Sequence, residues 1–297
     1  MRILFITSNR LGDAVLSTGL LDHLIRSHDE ARVTVACGPV AEGLFARMPN
    51  RERTIVLDKQ PYRLHWLPLW ASVVTTLWDL VVDIRGSTIA WMVPTRRRAV
   101  MRRRPGHKTA QLAAVLGVAP PPLPVVWTAP ADRACAADLL PAGRPIIGLG
   151  PTANWPPKVW PAERFAVLFR ALRNGPLPGA VPVVFAGPGS SEHAMAASLL
   201  AELPDAIDLV GRLSLVEVAA CLARCALFVG NDSGLMHLAA AAGAPTLGLF
   251  GPTSHEEYAP AGVKAAAVVS TSTLMHDLSV EAALASAISL VAQGEPV

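Results

Sequence analysis

Residues 226–250 read ALFVGNDSGLMHLAAAAGAPTLGLF. A short apolar run over 226–230 ends in glycine, and the polar cluster Asn231-Asp232-Ser233-Gly234 follows it. An alanine-rich helical stretch then covers 235–242, and a second apolar run covers 246–250. Strand, helix and strand in so short a span form a crossover unit, which joins parallel strands. The same alternation extends backward, with strands over 145–150, 181–186 and 207–210 and helices over 161–172, 192–201 and 215–224. A last amphipathic helix covers 280–291. An independent series opens the chain, with strands over 2–8, 32–37, 54–57 and 80–84. Its first helix, over 13–27, places Leu16, Leu20, Leu21 and Leu24 on one face. A second helix over 108–116 stops at Gly117, and Pro120, Pro121, Pro122 and Pro124 then form a connector.

Repeated strand-helix units imply parallel sheets covered by helices on both faces. The expected fold class is therefore α/β, with two doubly wound domains over 1–142 and 143–297. The last helix belongs to the second domain or folds back on the first. Open parallel sheets bind ligands beyond the carboxyl ends of their strands. Two such domains facing each other make a central cleft, so the loops after strands are where chemistry is expected.

Composition agrees with a folded chain. Its 297 residues are 52% hydrophobic and 16% charged, which excludes disorder for most of the length. No stretch reads as a spanning helix, because the most apolar candidate, 66–82, contains Pro68 and Asp79. The opening apolar run is too short for a signal peptide and reads as a buried strand, which places the chain in the cytoplasm. The four cysteines are scattered, and Cys221 and Cys225 read as core thiols on one helix face rather than as metal ligands. The net charge of +3 conceals a split. Residues 1–142 carry 18 Lys+Arg against 11 Asp+Glu, and residues 143–297 carry 8 against 12. The first half is thus the side expected to meet an anionic partner.

Three loops that follow strands carry candidate chemistry. In the stretch quoted above, unpaired N–H groups at the helix start, the hydroxyl of Ser233 and the open backbone at Gly234 make an anion site. The same residue types also cap helices without binding anything. The loop Pro151-Thr152-Ala153-Asn154-Trp155-Pro156-Pro157-Lys158 offers Thr152 as a donor and Lys158 as a phosphate partner, or else an exposed lysine on a rigid turn. In Arg10-Leu11-Gly12-Asp13, the aspartate is either a favourable charge at a helix start or a general base.

Taken together, these segments resemble glycosyltransferase family 9, the heptosyltransferases of lipopolysaccharide assembly. The resemblance rests on Arg10-Leu11-Gly12-Asp13, Lys158-Val159-Trp160-Pro161, Gly211-Arg212-Leu213-Ser214-Leu215 and Asp232-Ser233-Gly234-Leu235-Met236-His237. Gly243-Ala244-Pro245 and Gly251-Pro252-Thr253 complete it, in the same order along nearly the whole chain. It implies a GT-B architecture: two Rossmann-like domains with the donor nucleotide in the second. It implies inverting transfer with no cofactor and no obligatory metal. Asp13 matches the catalytic base, and Lys158 matches the lysine at the donor diphosphate. Asp232 and His237 match donor-site positions, Ser233 and Gly234 mark the helix start that would stabilise the leaving group, and Glu192 falls at an acid that reaches the ribose; Thr152 joins the donor set from its place in the loop.

The expected partners are a nucleotide-sugar donor and a lipid-linked or phosphorylated saccharide acceptor. Arg96, Arg97, Arg98, Arg102, Arg103 and Arg104 form a dense basic cluster, preceded by Trp66, Trp70, Trp78 and Trp91. Guanidinium groups suit phosphate, and apolar-plus-basic segments suit anionic membrane surfaces. Arg102, Arg103, Arg104 and His107 are therefore assigned to the acceptor or to the inner face of the cytoplasmic membrane. The alternative is a solvated basic face with the tryptophans in the core. Nucleic acid is excluded as a partner, since the segment carries no DNA- or RNA-binding signature. Competing readings are a transferase using another nucleotide sugar, a nucleotide-sugar epimerase and a non-catalytic nucleotide-sugar-binding protein. An epimerase would need several acid–base groups around the sugar, and Asp13 is the one clear candidate.

Overall fold

The structure is a computed structural model that describes residues 1–58, 60–63 and 65–292. It divides into two compact units, Met1–Trp127 and Thr128–Val297. In the first unit the strands are β1 (Arg2–Ile6), β2 (Arg32–Cys37), β3 (Arg51–Val56), β4 (Trp78–Asp83) and β5 (Thr95–Val100). Its helices are α1 (Leu11–Ser27), α2 (Trp66–Val73), α3 (Ile89–Met92) and α4 (Lys108–Ala113). The sheet order is β3-β2-β1-β4-β5, and every pairing is parallel.

The second unit opens with α5 (Pro130–Leu139) and continues through β6 (Ile146–Gly150), α6 (Ala162–Asn174), β7 (Val181–Val184), α7 (Ser190–Glu202) and β8 (Ile207–Asp208). It goes on through α8 (Leu215–Leu222), β9 (Leu227–Asn231), α9 (Gly234–Ala241), β10 (Thr246–Phe250), α10 (His255–Tyr258), β11 (Ala265–Val269) and α11 (Val280–Ala292). The order β11-β10-β9-β6-β7-β8 is again wholly parallel.

Both sheets grow outward in two directions from their first strand. The strand order therefore reverses between β1 and β4 in one unit and between β6 and β9 in the other. These switch points are where a doubly wound sheet leaves a crevice at its carboxyl edge. The central strands are buried on both faces; β6, β9 and β10 have no exposed residue. Trp160, Phe165, Phe169 and Leu172 from the α6 side fill one face of the second sheet, with Ala283, Ala287 and Leu290 of α11 beside them. Leu4, Ile6, Trp78 and Val81 anchor the first unit's core against Leu69 and Val73 of α2.

The boundary falls ahead of the 142/143 division read from the sequence, because α5 packs against α8 and so joins the second unit. The last helix packs on α6 and on β9, β10 and β11 of the second unit. The proline-rich stretch is a docked strap more than a free connector. Val125 N–H donates to Thr18 Oγ1 at 2.9 Å. A Cβ on Gly19 would lie 2.5 Å from the Leu123 carbonyl oxygen, so the strap crosses α1 where it has no side chain. The apolar stretch 66–82 divides into helix α2 and buried strand β4, and no helix among the described residues is long and apolar enough to cross a membrane. The thiols of Cys221 and Cys225 are buried, and burial pushes the Cys221 thiol up to about 12.

Candidate functional site

In the second unit, two loops leave the sheet at its switch point, one after β6 and one after β9. Gly150 and Gly230 face each other in the register at the ends of these strands. A Cβ on either would come within 2.7 Å of the Phe228 ring, so the aromatic core reaches the sheet edge only because both are glycine. Asn231 closes β9 and is fully buried. Its Nδ2 donates to the Pro151 carbonyl at 2.8 Å, and its Oδ1 accepts from Trp160 N–H at 3.1 Å. One amide thus pins both ends of the loop that carries Lys158. Trp160, itself fully buried, donates from Nε1 to the Leu278 carbonyl at 2.9 Å. Asn231→Ala would leave a buried donor and a buried acceptor without partners, at about 1–3 kcal/mol each. Its expected result is a lower denaturant midpoint with an unchanged slope; an unchanged midpoint would contradict the pinning.

The prolines of the loop form a 3-10 turn over Pro156–Lys158, which sets the lysine beside β9. Lys158 Nζ lies 2.6 Å from Asp232 Oδ2, and the two side chains are 17% and 8% exposed. Ser233 is the N-cap residue of α9, yet its hydroxyl makes no capping bond. That Oγ is buried with no hydrogen-bond partner among the described residues. A buried orphan hydroxyl costs stability unless a ligand completes it. Gly234 begins α9, and His237 is buried in its first turn. Beyond β7, Glu192 Oε2 accepts from Thr152 Oγ1 at 3.1 Å and from Gly187 N–H at 2.5 Å. Every donor-site residue expected from the sequence therefore lies along the carboxyl edge of this one sheet. Lys158 and Asp232 form one contact group, and Thr152 and Glu192 form a second.

In the first unit, Asp13 stands in the first turn of α1, half-buried, and accepts a long 3.4 Å bond from Ser8 Oγ. Across the switch point, Asp83 ends β4 and is fully buried. Burial pushes its carboxyl above the ordinary range, against bonds from Ser87 Oγ at 2.6 Å and from the N–H groups of Arg85 and Ser87 at 2.8 Å each. These bonds shape the turn that presents Arg85. The guanidinium donates to Asn9 Oδ1 at 3.0 Å and lies 4.7 Å from the centre of the Trp66 ring. It thereby joins the loop that holds Asp13.

The basic cluster divides. Arg96, Arg97 and Arg98 lie on edge strand β5. Arg96 approaches Asp79 at 3.5 Å, and the Arg98 guanidinium stacks 4.8 Å over the Trp91 ring. Arg102 and Arg104 follow β5 and line a cavity of about 520 Å³ with Arg98, Trp91 and Gln111, while Arg103 is exposed beside them. His107 serves as the N-cap of α4, accepting from Thr109 N–H at 3.3 Å, which accounts for its place without a ligand. Trp78 is core, Trp66 and Trp70 are half-buried, and Trp91 is 64% exposed, so neither sequence reading of the tryptophans holds for all four.

Among known families, the pattern of glycosyltransferase family 9 (heptosyltransferase) matches residues 93–287. The chain belongs to glycosyltransferase family 9. It is 28% identical to lipooligosaccharide heptosyltransferase 2 of Haemophilus ducreyi, over 91% of this chain and 88% of that one. It is 34% identical to the Haemophilus influenzae protein of the same name over 41% of this chain. That match spans 36% of the relative's length, little more than a third. The fold matches an E. coli ADP-heptose heptosyltransferase II with a TM-score of 0.79 at 23% identity, covering 100% of both chains. A family 9 protein of Veillonella parvula gives 0.84 at 21% identity, covering 99% of this chain and 98% of that one. The architecture is thus GT-B, with two Rossmann-like parallel sheets.

Within this family 9 chain, sequence reasoning missed Asn231 as a clamp and Arg85 and Asn9 as a contact pair. Asn231 reads as one more capping residue, and its two partners are 80 and 71 positions away. Arg85 carried a usable signal: a charged loop directly after a central strand, Asp83-Ile84-Arg85-Gly86-Ser87.

Proposed function

We propose that this chain transfers a sugar, with inversion, from a nucleotide donor to a lipopolysaccharide-core-type acceptor, and that the donor is ADP-heptose. The observation that carries the donor half is the Lys158–Asp232 pair beside the uncapped start of α9 and the orphan hydroxyl of Ser233. Asp232 holds the ammonium at the helix terminus, where N–H groups and the helix dipole favour a diphosphate. Lys158, Ser233 and Gly234 then receive the negative charge that grows on the leaving diphosphate. Glu192 uses Oε2 for Thr152 and Gly187, which leaves Oε1 for a ribose hydroxyl.

On the acceptor side, Asp13 takes the proton of the attacking hydroxyl. The hydroxyl oxygen bonds to the anomeric carbon as the bond from that carbon to the diphosphate breaks, and the nucleoside diphosphate leaves. The attack is from the opposite face, so the configuration inverts. Arg102, Arg103 and Arg104 supply cations for a phosphorylated acceptor, and the cavity beside Trp91 has room for part of it. The chain works at the inner face of the cytoplasmic membrane, where a lipid-linked acceptor would be presented. The relatives support this reading by name, and one E. coli heptosyltransferase of the same fold was solved with ADP, at a TM-score of 0.76 and 17% identity.

Calorimetric titration with ADP-heptose, ADP-glucose, UDP-glucose and ADP alone tests the donor. Tightest binding of ADP-heptose is expected. Preference for another nucleotide sugar would replace the donor and keep the chemistry, and absence of binding by all four would overturn the reading.

A further inference from the structure

The loop that leaves β4, Ile84-Arg85-Gly86-Ser87-Thr88, carries a single charged side chain. It stands at the switch point of the first sheet, beside the loop after β1 that leads to Asp13. Asp83 builds its turn. Oδ1 accepts from Arg85 N–H, and Oδ2 accepts from the N–H and the hydroxyl of Ser87. Gly86 takes φ 64, a left-handed conformation that a side chain would strain. The backbone at Arg85 is thereby set, and the buried carboxyl serves the turn.

The guanidinium is held at two further points. Nη1 donates to Asn9 Oδ1 at 3.0 Å, and Cζ lies 4.7 Å from the centre of the Trp66 ring. Asn9 is itself wedged, since a Cβ on Gly38 would come within 2.6 Å of the Asn9 Cα. One donor and one face of the fork are thus occupied. The other N–H groups meet no acceptor among the described residues, and the side chain is exposed. A surface arginine ordinarily samples many rotamers and loses that freedom when it binds an anion. Arg85 has lost much of it in advance, so anion binding costs less. A planar fork with one face covered still presents its edge, which suits two oxygens of one carboxylate or phosphate.

We propose that Arg85 is an oxyanion site of the first unit, taking a carboxylate or phosphate carried by the saccharide whose hydroxyl meets Asp13. This site belongs to the proposed function and rests on its saccharide acceptor. Gly86 lines the cavity of Arg102 and Arg104 and Arg85 does not, so the two sites are adjacent and distinct. A saccharide without the acid group leaves the guanidinium to water, and Arg85 thereby selects an acidic sugar over a neutral one.

The test is calorimetric titration of the full chain, in saturating ADP, with glucuronate, glucose 6-phosphate and glucose. Both acidic sugars are expected to bind, and glucose is not. Tighter binding of glucuronate assigns the site to a carboxylate, and tighter binding of glucose 6-phosphate to a phosphate. Arg85→Gln keeps an amide donor for Asn9 and should weaken acid binding about tenfold or more, as loss of a charge-assisted bond does. Arg97→Gln removes an exposed cation from β5 and should change binding less than about twofold. Asn9→Ala keeps the Arg85 charge and the Trp66 contact but frees the fork. It should weaken binding by roughly two- to tenfold, the worth of ordering one side chain. Equal binding of glucose, or unchanged acid binding in Arg85→Gln or in Asn9→Ala, would overturn the site. ADP titration of the same preparations scores the second unit separately. Failed acid binding with intact ADP binding overturns the Arg85 site alone, whereas failed ADP binding counts against the transferase reading.

Discussion

Asp13→Asn is expected to lower turnover by about a hundred- to ten-thousand-fold, the usual range for loss of a positioned base. Affinity for the nucleotide sugar should stay within about twofold, because a base acts in the transition state and not on the bound donor. The substitution is nearly isosteric, and Asp13 is half-buried with one long contact to Ser8, so stability should change little. That separation gives the prediction its force. Asp13 also stands in the first turn of α1, where a carboxylate is worth about 0.3–1 kcal/mol against the helix dipole. If the dipole were its whole role, Asp13→Asn would shift the unfolding midpoint slightly and leave kcat intact. Single-turnover kinetics with saturating donor distinguishes the two, and a kcat near that of the parent would remove Asp13 from the chemistry.

Lys158→Ala should reduce both donor affinity and turnover, with kcat falling about a hundred- to a thousand-fold as developing charge on the diphosphate loses a donor. A second loss accompanies it. With Asp232 8% exposed, removal of its 2.6 Å partner leaves a carboxylate largely out of water. Breaking a buried pair typically costs about 3–5 kcal/mol, and partial exposure here places the loss near the lower end. Stability and catalysis can therefore be confused in the single variant. Lys158→Ala with Asp232→Asn separates them, because the amide needs no counter-charge. The double variant should recover most of the unfolding midpoint and none of the turnover. Recovery of turnover along with stability would mean that Lys158 serves the fold and not the diphosphate.

The fold was legible wherever strands are central. Runs such as 32–37 and 246–250 are mostly apolar because both faces of those strands are covered, and their ends agree with the structure to the residue. Edge strands were not legible. β5 is TRRRAV, and three arginines in succession read as a charged surface. On an edge such residues cost little and keep the strand from pairing with other chains. β11, AAAVV, hides for the opposite reason: alanine has weak strand preference and suits a helix as well. β3 was shortened at its start because Arg51, Glu52 and Arg53 face water. The residues proposed for the donor stood out because they lie in, or just after, short and chemically unusual loops that follow strands. What holds those loops was not readable, since contacts such as Asn231 with Pro151 and Trp160 exist only after the sheet has formed.

The Asn231 clamp has a dynamic consequence. Loops over a ligand site ordinarily open on their own, at a small fraction of the global unfolding free energy. This one is fastened at both ends to the terminus of a central strand, so the residues between Pro151 and Trp160 share the fate of β9. The amide hydrogen of Trp160 is therefore expected to exchange with solvent no faster than the heart of the sheet, and the lysine between the two fastenings is expected to hold its station without a ligand. Such a loop is a finished mould, and the proposed nucleotide would enter it without a slow closure of this half of the molecule.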